Sequence, residues 1–345
     1  MDWIDLRSDT VTLPTPEMRQ AMANADLGDD VLGEDPTVNR LEMLMAERLG
    51  KEGGLFVPSG TMGNLTAVLT HCGRGDEVIL GNLSHTFLYE AGGMAALGGV
   101  HPYTVPNQPD GTLKLNDIIA AIRPDNPHFP ISRLICLENT HNRCGGVPLT
   151  SDYTRQVGDL VRQYSLKLHI DGARIFNAAI ALNISAAELA EPADSVMICL
   201  SKGLCAPVGS VLCGDKEFIR RARRLRKQLG GGMRQAGVIA AAGLVALEKM
   251  IDRLADDHHR ARSLAEHLRD IPGLILELEK PPTNMVYIQL TENASMSAPE
   301  LVEVCSKKGI KLSAIGPRRM RLVVHYWIDD QAIETVVGAF KQALK

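Results

Sequence analysis

The chain has 345 residues, 45% of them apolar and 23% charged, with a net charge of −4. That balance is ordinary for a folded globular enzyme and excludes a disordered or fibrous chain, and so weak a net charge implies no field that gathers nucleic acid or an anionic membrane surface. The expected partners are small molecules and further copies of the chain. Seven cysteines, at 72, 136, 144, 199, 205, 213 and 305, form no CxxC pair and sit mostly beside apolar residues, as buried free thiols in a reducing compartment do. Met1-Asp2-Trp3-Ile4-Asp5 has no apolar core, and no later apolar run reaches spanning length. A cytoplasmic protein with no membrane anchor is therefore expected.

In chain order, short apolar runs alternate with helical ones through the first two-thirds. This is the pattern of an α/β fold: a mostly parallel sheet covered by helices on both faces. Residues 37–50 put Val38, Leu41, Leu44 and Met45 at helical spacing with Gly50 as a stop. The segments 77–80, 133–137, 167–170 and 195–200 are short, apolar and partly β-branched, as buried strands are. Each runs into polar or glycine-rich residues, which matters because open α/β sheets bind ligands beyond the carboxyl ends of their strands. Residues 220–227 are densely basic and read as a solvated helix face. An alanine- and leucine-rich stretch over 235–269 without proline predicts one long helix or two abutting ones. Strands at 284–288 and 319–325 around a helix at 299–308 complete the reading. The length favours two domains: a large one over 1–250, and a small C-terminal α/β one over 251–345 on which the N-terminal segment packs.

Four places carry chemistry. Lys202 follows the apolar run ending at Leu200, between Ser201 and Gly203; alone, it reads as a lysine closing a strand into solvent. Asp171 ends the alternating run 166–170, and alone it reads as a helix cap. Their separation fits one strand–helix–strand unit, so both project from neighbouring strand ends. Ser59-Gly60-Thr61-Met62-Gly63-Asn64 lies between a strand and a helix, where free amides and the Thr61 hydroxyl make an anion site, although GxGxxG and GxxxxGK[ST] are both missing from the chain. Gly230-Gly231-Gly232-Met233-Arg234 offers a hinge, or an arginine that reaches a phosphate in a neighbouring subunit. An amine, an acid, a phosphate cup and a group to stack on a ring are what pyridoxal phosphate requires. His85 and His128 both sit in loop-like contexts as candidates for stacking or proton transfer. His258-His259 lies on a helix, where adjacent residues diverge, and is rejected as a metal pair; no metal is expected.

Together these motifs resemble the low-specificity L-threonine aldolases, pyridoxal-phosphate enzymes of the aspartate-aminotransferase fold type. The resemblance begins at Asp5-Leu-Arg-Ser-Asp-Thr-Val-Thr12, continues through Gly28-Asp-Asp-Val31, Gly33-Glu-Asp-Pro36, Pro58-Ser-Gly-Thr61 and Glu138-Asn-Thr-His-Asn142, and ends with His169-Ile-Asp-Gly-Ala-Arg174, Cys199-Leu-Ser-Lys-Gly-Leu204 and Gly230-Gly-Gly-Met-Arg-Gln235. It implies reversible cleavage of L-threonine or L-allo-threonine to glycine and acetaldehyde. By resemblance, Lys202 carries the cofactor, Asp171 pairs its ring nitrogen and His85 stacks on the ring. Gly60, Thr61 and Arg234 hold the phosphate, the last across a subunit boundary. Ser8, Arg174 and Arg321 hold the substrate carboxylate, with Arg174 also beside the cofactor. His85 and His128 lie near the β-hydroxyl, Lys227 lies near the site, and the assembly is a homotetramer.

Leu32 departs from the family pattern, which has a tyrosine there. Any hydrogen bond from that phenol is missing, and erythro/threo preference does not transfer. The same scaffold serves β-eliminating lyases, aminotransferases and serine hydroxymethyltransferase, so these are the rival enzymes; a non-catalytic phosphate-ester-binding module built on residues 59–64 is the rival of another class.

Overall fold

The computed structural model describes residues 3–345. Its main sheet has seven strands in the order Gly53–Val57, Ser210–Gly214, Ser195–Cys199, Lys167–Asp171, Ile131–Glu138, Asp76–Gly81 and His101–Val105. Ser210–Gly214 alone runs against its neighbours; the other six are parallel, so their carboxyl ends share one edge. The strands are buried on both faces, which is why they read as apolar runs rather than alternating ones. Phe56 packs into one cluster with Val38, Leu41 and Met45, while its neighbours Leu55 and Val57 pack into another with Ala67, Phe218 and Ala222.

The helix expected over 37–50 runs Pro36–Arg48. Asp35 sets its start, accepting from the N–H groups of Thr37 at 3.1 Å and Val38 at 3.0 Å, with Pro36 in the first turn. The same carboxylate accepts from Gly237 N at 2.8 Å. A Cβ at 237 would lie 2.5 Å from Asp35 Oδ1, so only glycine permits this approach. The segment ending at Pro36 thus anchors the start of the alanine-rich stretch, which resolves into Gly237–Val245, a π-helical turn at Ala246–Met250 and Leu254–Arg269.

Two apolar clusters part within that last helix. One extends from Met18 to Leu254; the other gathers Ala261, Leu264 and Leu268 with Leu6, Val286, Ile288 and Leu322. The second lies on a four-stranded antiparallel sheet of Ser313–Ala314, Arg319–Val323, Met285–Leu290 and Leu274–Leu276. The helix expected over 299–308 is Ala298–Ser306, begun by a reciprocal capping box between Ser297 and Glu300. At the amino end, Ile4–Asp5 pairs in parallel with Ile310–Lys311. The Lys311 ammonium sits 4.6 Å from the centre of the Trp3 ring, and Trp327 Nε1 donates to Leu13 O at 3.0 Å. Among the described residues no helix is long and apolar enough to cross a membrane.

The basic run 220–227 lies on the helix Lys216–Gln228 but is not uniformly solvated. Arg226 is 2% exposed, 2.8 Å from Asp30 Oδ2, and donates to Phe56 O at 2.7 Å; Arg223 donates to Glu42 at 2.7 Å. The Asp30 contact is ionic without the alignment of a hydrogen bond. Long arginine side chains let one face of the helix reach buried carboxylates that the local sequence does not reveal. Arg226→Ala should leave buried Asp30 with only the more distant Arg223, 3.8 Å away, as counter-charge and cost about 3 kcal/mol in urea-unfolding free energy. Arg220→Ala, which touches only exposed Glu217, should leave the unfolding midpoint unchanged.

Candidate active site

The shared carboxyl edge gathers the chemistry. Asp171 is the last residue of its strand and stands opposite Glu138 across the ladder. Lys202 follows the neighbouring strand Ser195–Cys199, Gly60 follows Gly53–Val57, and His85 follows Asp76–Gly81. A cleft of about 410 Å³ is lined by Ser8, His85, Arg174, Lys202 and Arg321 together with Tyr89 and Arg143. It shares Thr10, His85 and Lys202 with a second recess walled by Ser59, Gly60, Thr61 and Ser201.

That recess has the chemistry of an anion cup. Ser59 Oγ caps the helix Gly60–His71 by accepting from Met62 N at 3.2 Å. The N–H groups of Gly60 and Thr61 find no acceptor among the described residues, and they stand at the positive end of a three-turn helix. A Cβ at Gly60 would lie 2.8 Å from Cys199 Sγ, so glycine keeps this wall thin. Free amides, the Thr61 hydroxyl and the adjoining Lys202 amine fit a phosphate ester that carries an aldehyde.

Asp171 is buried and accepts from Asn64 Nδ2 at 2.9 Å and from Ala173 N at 3.1 Å. Asn64 also donates to Glu90 Oε1 at 2.8 Å, and Glu90 lies 3.0 Å from His85 Nδ1. Burial opposes a charge on His85, but the hydrogen bond to Glu90 and the charge of Asp171 outweigh it and raise the imidazole pKa. Glu138 fixes the backbone around this group, accepting from His85 N at 2.7 Å and Asn142 N at 2.9 Å.

The two guanidinium groups of the cleft differ. Arg174 is buried and already bound bidentately by Asp9, from Nε at 2.7 Å and from the terminal nitrogen at 2.6 Å. Arg321 donates to Asn142 Oδ1 at 2.7 Å and to Arg7 O at 3.1 Å, both neutral acceptors, and pairs with no carboxylate among the described residues. Of the two, Arg321 is the one whose charge is open to a carboxylate ligand.

Residues 5–291 match the beta-eliminating lyase family. Over 342 residues the chain is 52% identical to a probable low-specificity L-threonine aldolase of Arabidopsis thaliana, covering 98% of this chain and 96% of that one. The chain belongs to the threonine aldolases of this family. It is 43% identical over 341 residues to the low-specificity L-threonine aldolase of Escherichia coli, covering 99% of each. Among solved structures, Leishmania major threonine aldolase superposes with a TM-score of 0.86 over 99% of this chain and 100% of that one at 21% identity, a likeness of fold.

In this threonine aldolase the expected residues do not all meet. Ser8, Gly60, Thr61, His85, Arg174, Lys202 and Arg321 line the cleft and its recess, with Asp171 against His85. His128 is exposed and precedes Ile131–Glu138, a strand whose far end carries the cleft roughly 25 Å away, so it lies outside the cleft of its own chain. Arg234 is exposed and pairs with Asp29 at 2.9 Å, outside the phosphate recess of its own chain. Lys227 is likewise exposed, against the Gly232 turn. Leu32 is 68% exposed in a short turn, Asp30–Leu32. Sequence reasoning missed Asp9, Asn64, Glu90 and Asn142. Asp9, Asn64 and Asn142 lay inside quoted motifs, but their partners are distant in sequence.

His169 is buried behind Asn64 and His71 is half-buried beyond it, and desolvation pushes their pKa values down to about 4 and about 3. Unfolded histidine titrates near 6.5, so the native state binds fewer protons and stability is full above that pH and drains as pH falls toward 4. Urea-unfolding free energy should drop by roughly 3 kcal/mol across this window through His169 alone. His169→Gln should flatten that part of the profile.

Proposed function

We propose that the protein cleaves L-threonine and L-allo-threonine reversibly to glycine and acetaldehyde with pyridoxal 5′-phosphate, and accepts other β-hydroxy-α-amino acids. One observation carries this: an amine, an anion cup and a guanidinium open to a carboxylate line one cleft and its recess, with a strand-end carboxylate directly behind His85. When bound, the cofactor supplies a ring that takes up the electron pair released at Cα. Lys202 would hold it by its amine, Gly60 and Thr61 would hold its phosphate, and Asp171 would pair with its ring nitrogen and keep the proton there. Arg321 and Ser8, with Arg174 beside them, hold the substrate carboxylate. That anchor would fix the orientation of Cα and its bonds in the cleft, and orientation selects which bond breaks. His85, polarised by Glu90, takes the β-hydroxyl proton directly or through a water. A proton delivered at Cα completes glycine.

The substrate is a small amino acid, and the assembly is a homotetramer in which Arg234 reaches a neighbour's phosphate cup. The exposure of Arg234, with Lys227 beside the same glycine turn, supports a role outside its own subunit. The free cysteines, all but Cys144 buried, support a cytoplasmic setting.

A product assay on the four threonine stereoisomers tests the reaction. Glycine and acetaldehyde in equal amounts support it, whereas pyruvate with ammonia, an oxo acid, or dependence on a folate carrier turns the assignment to a β-eliminating lyase, an aminotransferase or a serine hydroxymethyltransferase. Lys202→Ala should abolish both turnover and the visible absorbance of the cofactor-saturated protein, and a colourless saturated wild type would refute the cofactor. Shared sites are tested by mixing Lys202→Ala and Arg234→Ala subunits. Hybrid oligomers should recover part of the activity, because some sites then draw both native residues; no recovery in demonstrably mixed oligomers counts against sharing.

A further inference from the structure

Behind Asp171 runs a file of polar side chains, buried except for the half-buried His71 at its end, that the reaction above does not use. Asn64 commits both amide hydrogens to carboxylates, one to Asp171 at 2.9 Å and one to Glu90 at 2.8 Å. Its Oδ1 therefore faces away from them and accepts from His169 Nε2 at 3.1 Å. A neutral imidazole that donates from Nε2 accepts at Nδ1, where Ser195 Oγ lies at 2.8 Å. Ser195, having donated its hydrogen, accepts from His71 Nε2 at 2.8 Å. Burial keeps both histidines neutral near pH 7, as the file requires.

Direction is thus settled at every link. Two carboxylates point the amide, the amide selects the tautomer of His169, and the tautomer turns the Ser195 hydroxyl. Asn64, His169 and Ser195 are at most 1% exposed, and none of the four residues lines the cleft. His71 closes the file with its ring stacked on Phe218 at 4.6 Å. A buried file with every member satisfied rigidifies what stands at its end.

We propose that His71, Ser195, His169 and Asn64, each donating toward the next, form a positioning device that holds Asp171 in register with the cofactor's ring nitrogen so that this nitrogen keeps its proton. The inference rests on the reading that Asp171 faces that nitrogen. It makes these four residues positioning residues, acting on the reaction only through Asp171.

The experiment uses holoenzyme loaded with pyridoxal phosphate labelled with 15N in the ring, comparing wild type with Ser195→Ala, His169→Leu and His169→Gln. The 15N chemical shift reports the ring-nitrogen proton, and cofactor dissociation and threonine kinetics are measured on the same samples. Ser195→Ala removes a single oxygen, so it remains informative if His169→Leu does not fold. In the wild type the ring nitrogen should resonate as protonated. Ser195→Ala and His169→Leu should move it toward the unprotonated position, weaken cofactor binding about tenfold and lower kcat with little change in KM. His169→Gln, whose amide donates to Asn64 and accepts from Ser195, should restore the wild-type shift. A protonated signal unchanged in folded Ser195→Ala overturns the positioning device and leaves the assignment of Asp171 standing. An unprotonated wild-type signal overturns that assignment and the inference with it.

Discussion

The buried pair of Asp9 and Arg174 is the constraint on which the arrangement of the cleft rests. Asp9 is fully buried, which alone would push its carboxyl up, but the Arg174 charge and the bonds from its guanidinium outweigh this and hold it well below the usual carboxylate range. Asn284, from the edge of the antiparallel sheet, donates to the same carboxylate at 3.4 Å. Three residues along, the Thr12 hydroxyl donates to Lys202 O at 2.9 Å. The amino-terminal segment, the parallel sheet and the antiparallel sheet are therefore joined at one charge. Such a pair contributes little over an apolar contact of equal volume, but removing one partner leaves a buried charge alone at a cost of about 3–5 kcal/mol. Its value lies in geometry: Arg174 has one orientation, and Ser8 is held beside it.

The charges around the cleft are arranged by depth. Cations stand at the mouth, where Arg321 meets only neutral acceptors. Carboxylates stand below, where Glu90 and Asp171 share the amide of Asn64. Single ligand atoms of His85, Glu90 and Asp171 lie within 4.8 Å of one another, a spacing that also suits a cation. Asn64 presents two hydrogens between the carboxylates, one to each. A cationic mouth over an anionic floor suits a zwitterionic amino acid above a protonated ring.

Much of this was legible in the sequence for reasons that can be named. The strands at 77–80 and 167–170 announced themselves because both faces are buried, and Asp171 and Lys202 followed because each stands at or just past a strand end on the shared edge. The turn at 59–64 was legible because a helix start has a local signature. What escaped depends on contacts between distant segments. Asp9 meets Arg174 and Asn64 meets Asp171 across separations that no periodicity encodes. Arg226 was misread for the same reason: its helix looks like any basic surface until Asp30 arrives from another segment. His128 stands outside the cleft of its own chain, and a loop histidine carries no mark of which end of its strand it precedes in space.

The two tryptophans of the chain both lie along the seam where the amino-terminal segment meets the antiparallel sheet. Trp3 rests against Lys311 and Trp327 is tied to the backbone of Leu13, while the parallel sheet and its covering helices contain none. Intrinsic tryptophan fluorescence of this protein therefore reports on the docking of residues 3–13 and is nearly silent about the larger core. An unfolding curve followed by fluorescence would report the release of that segment, and the parallel sheet would have to be followed by another signal.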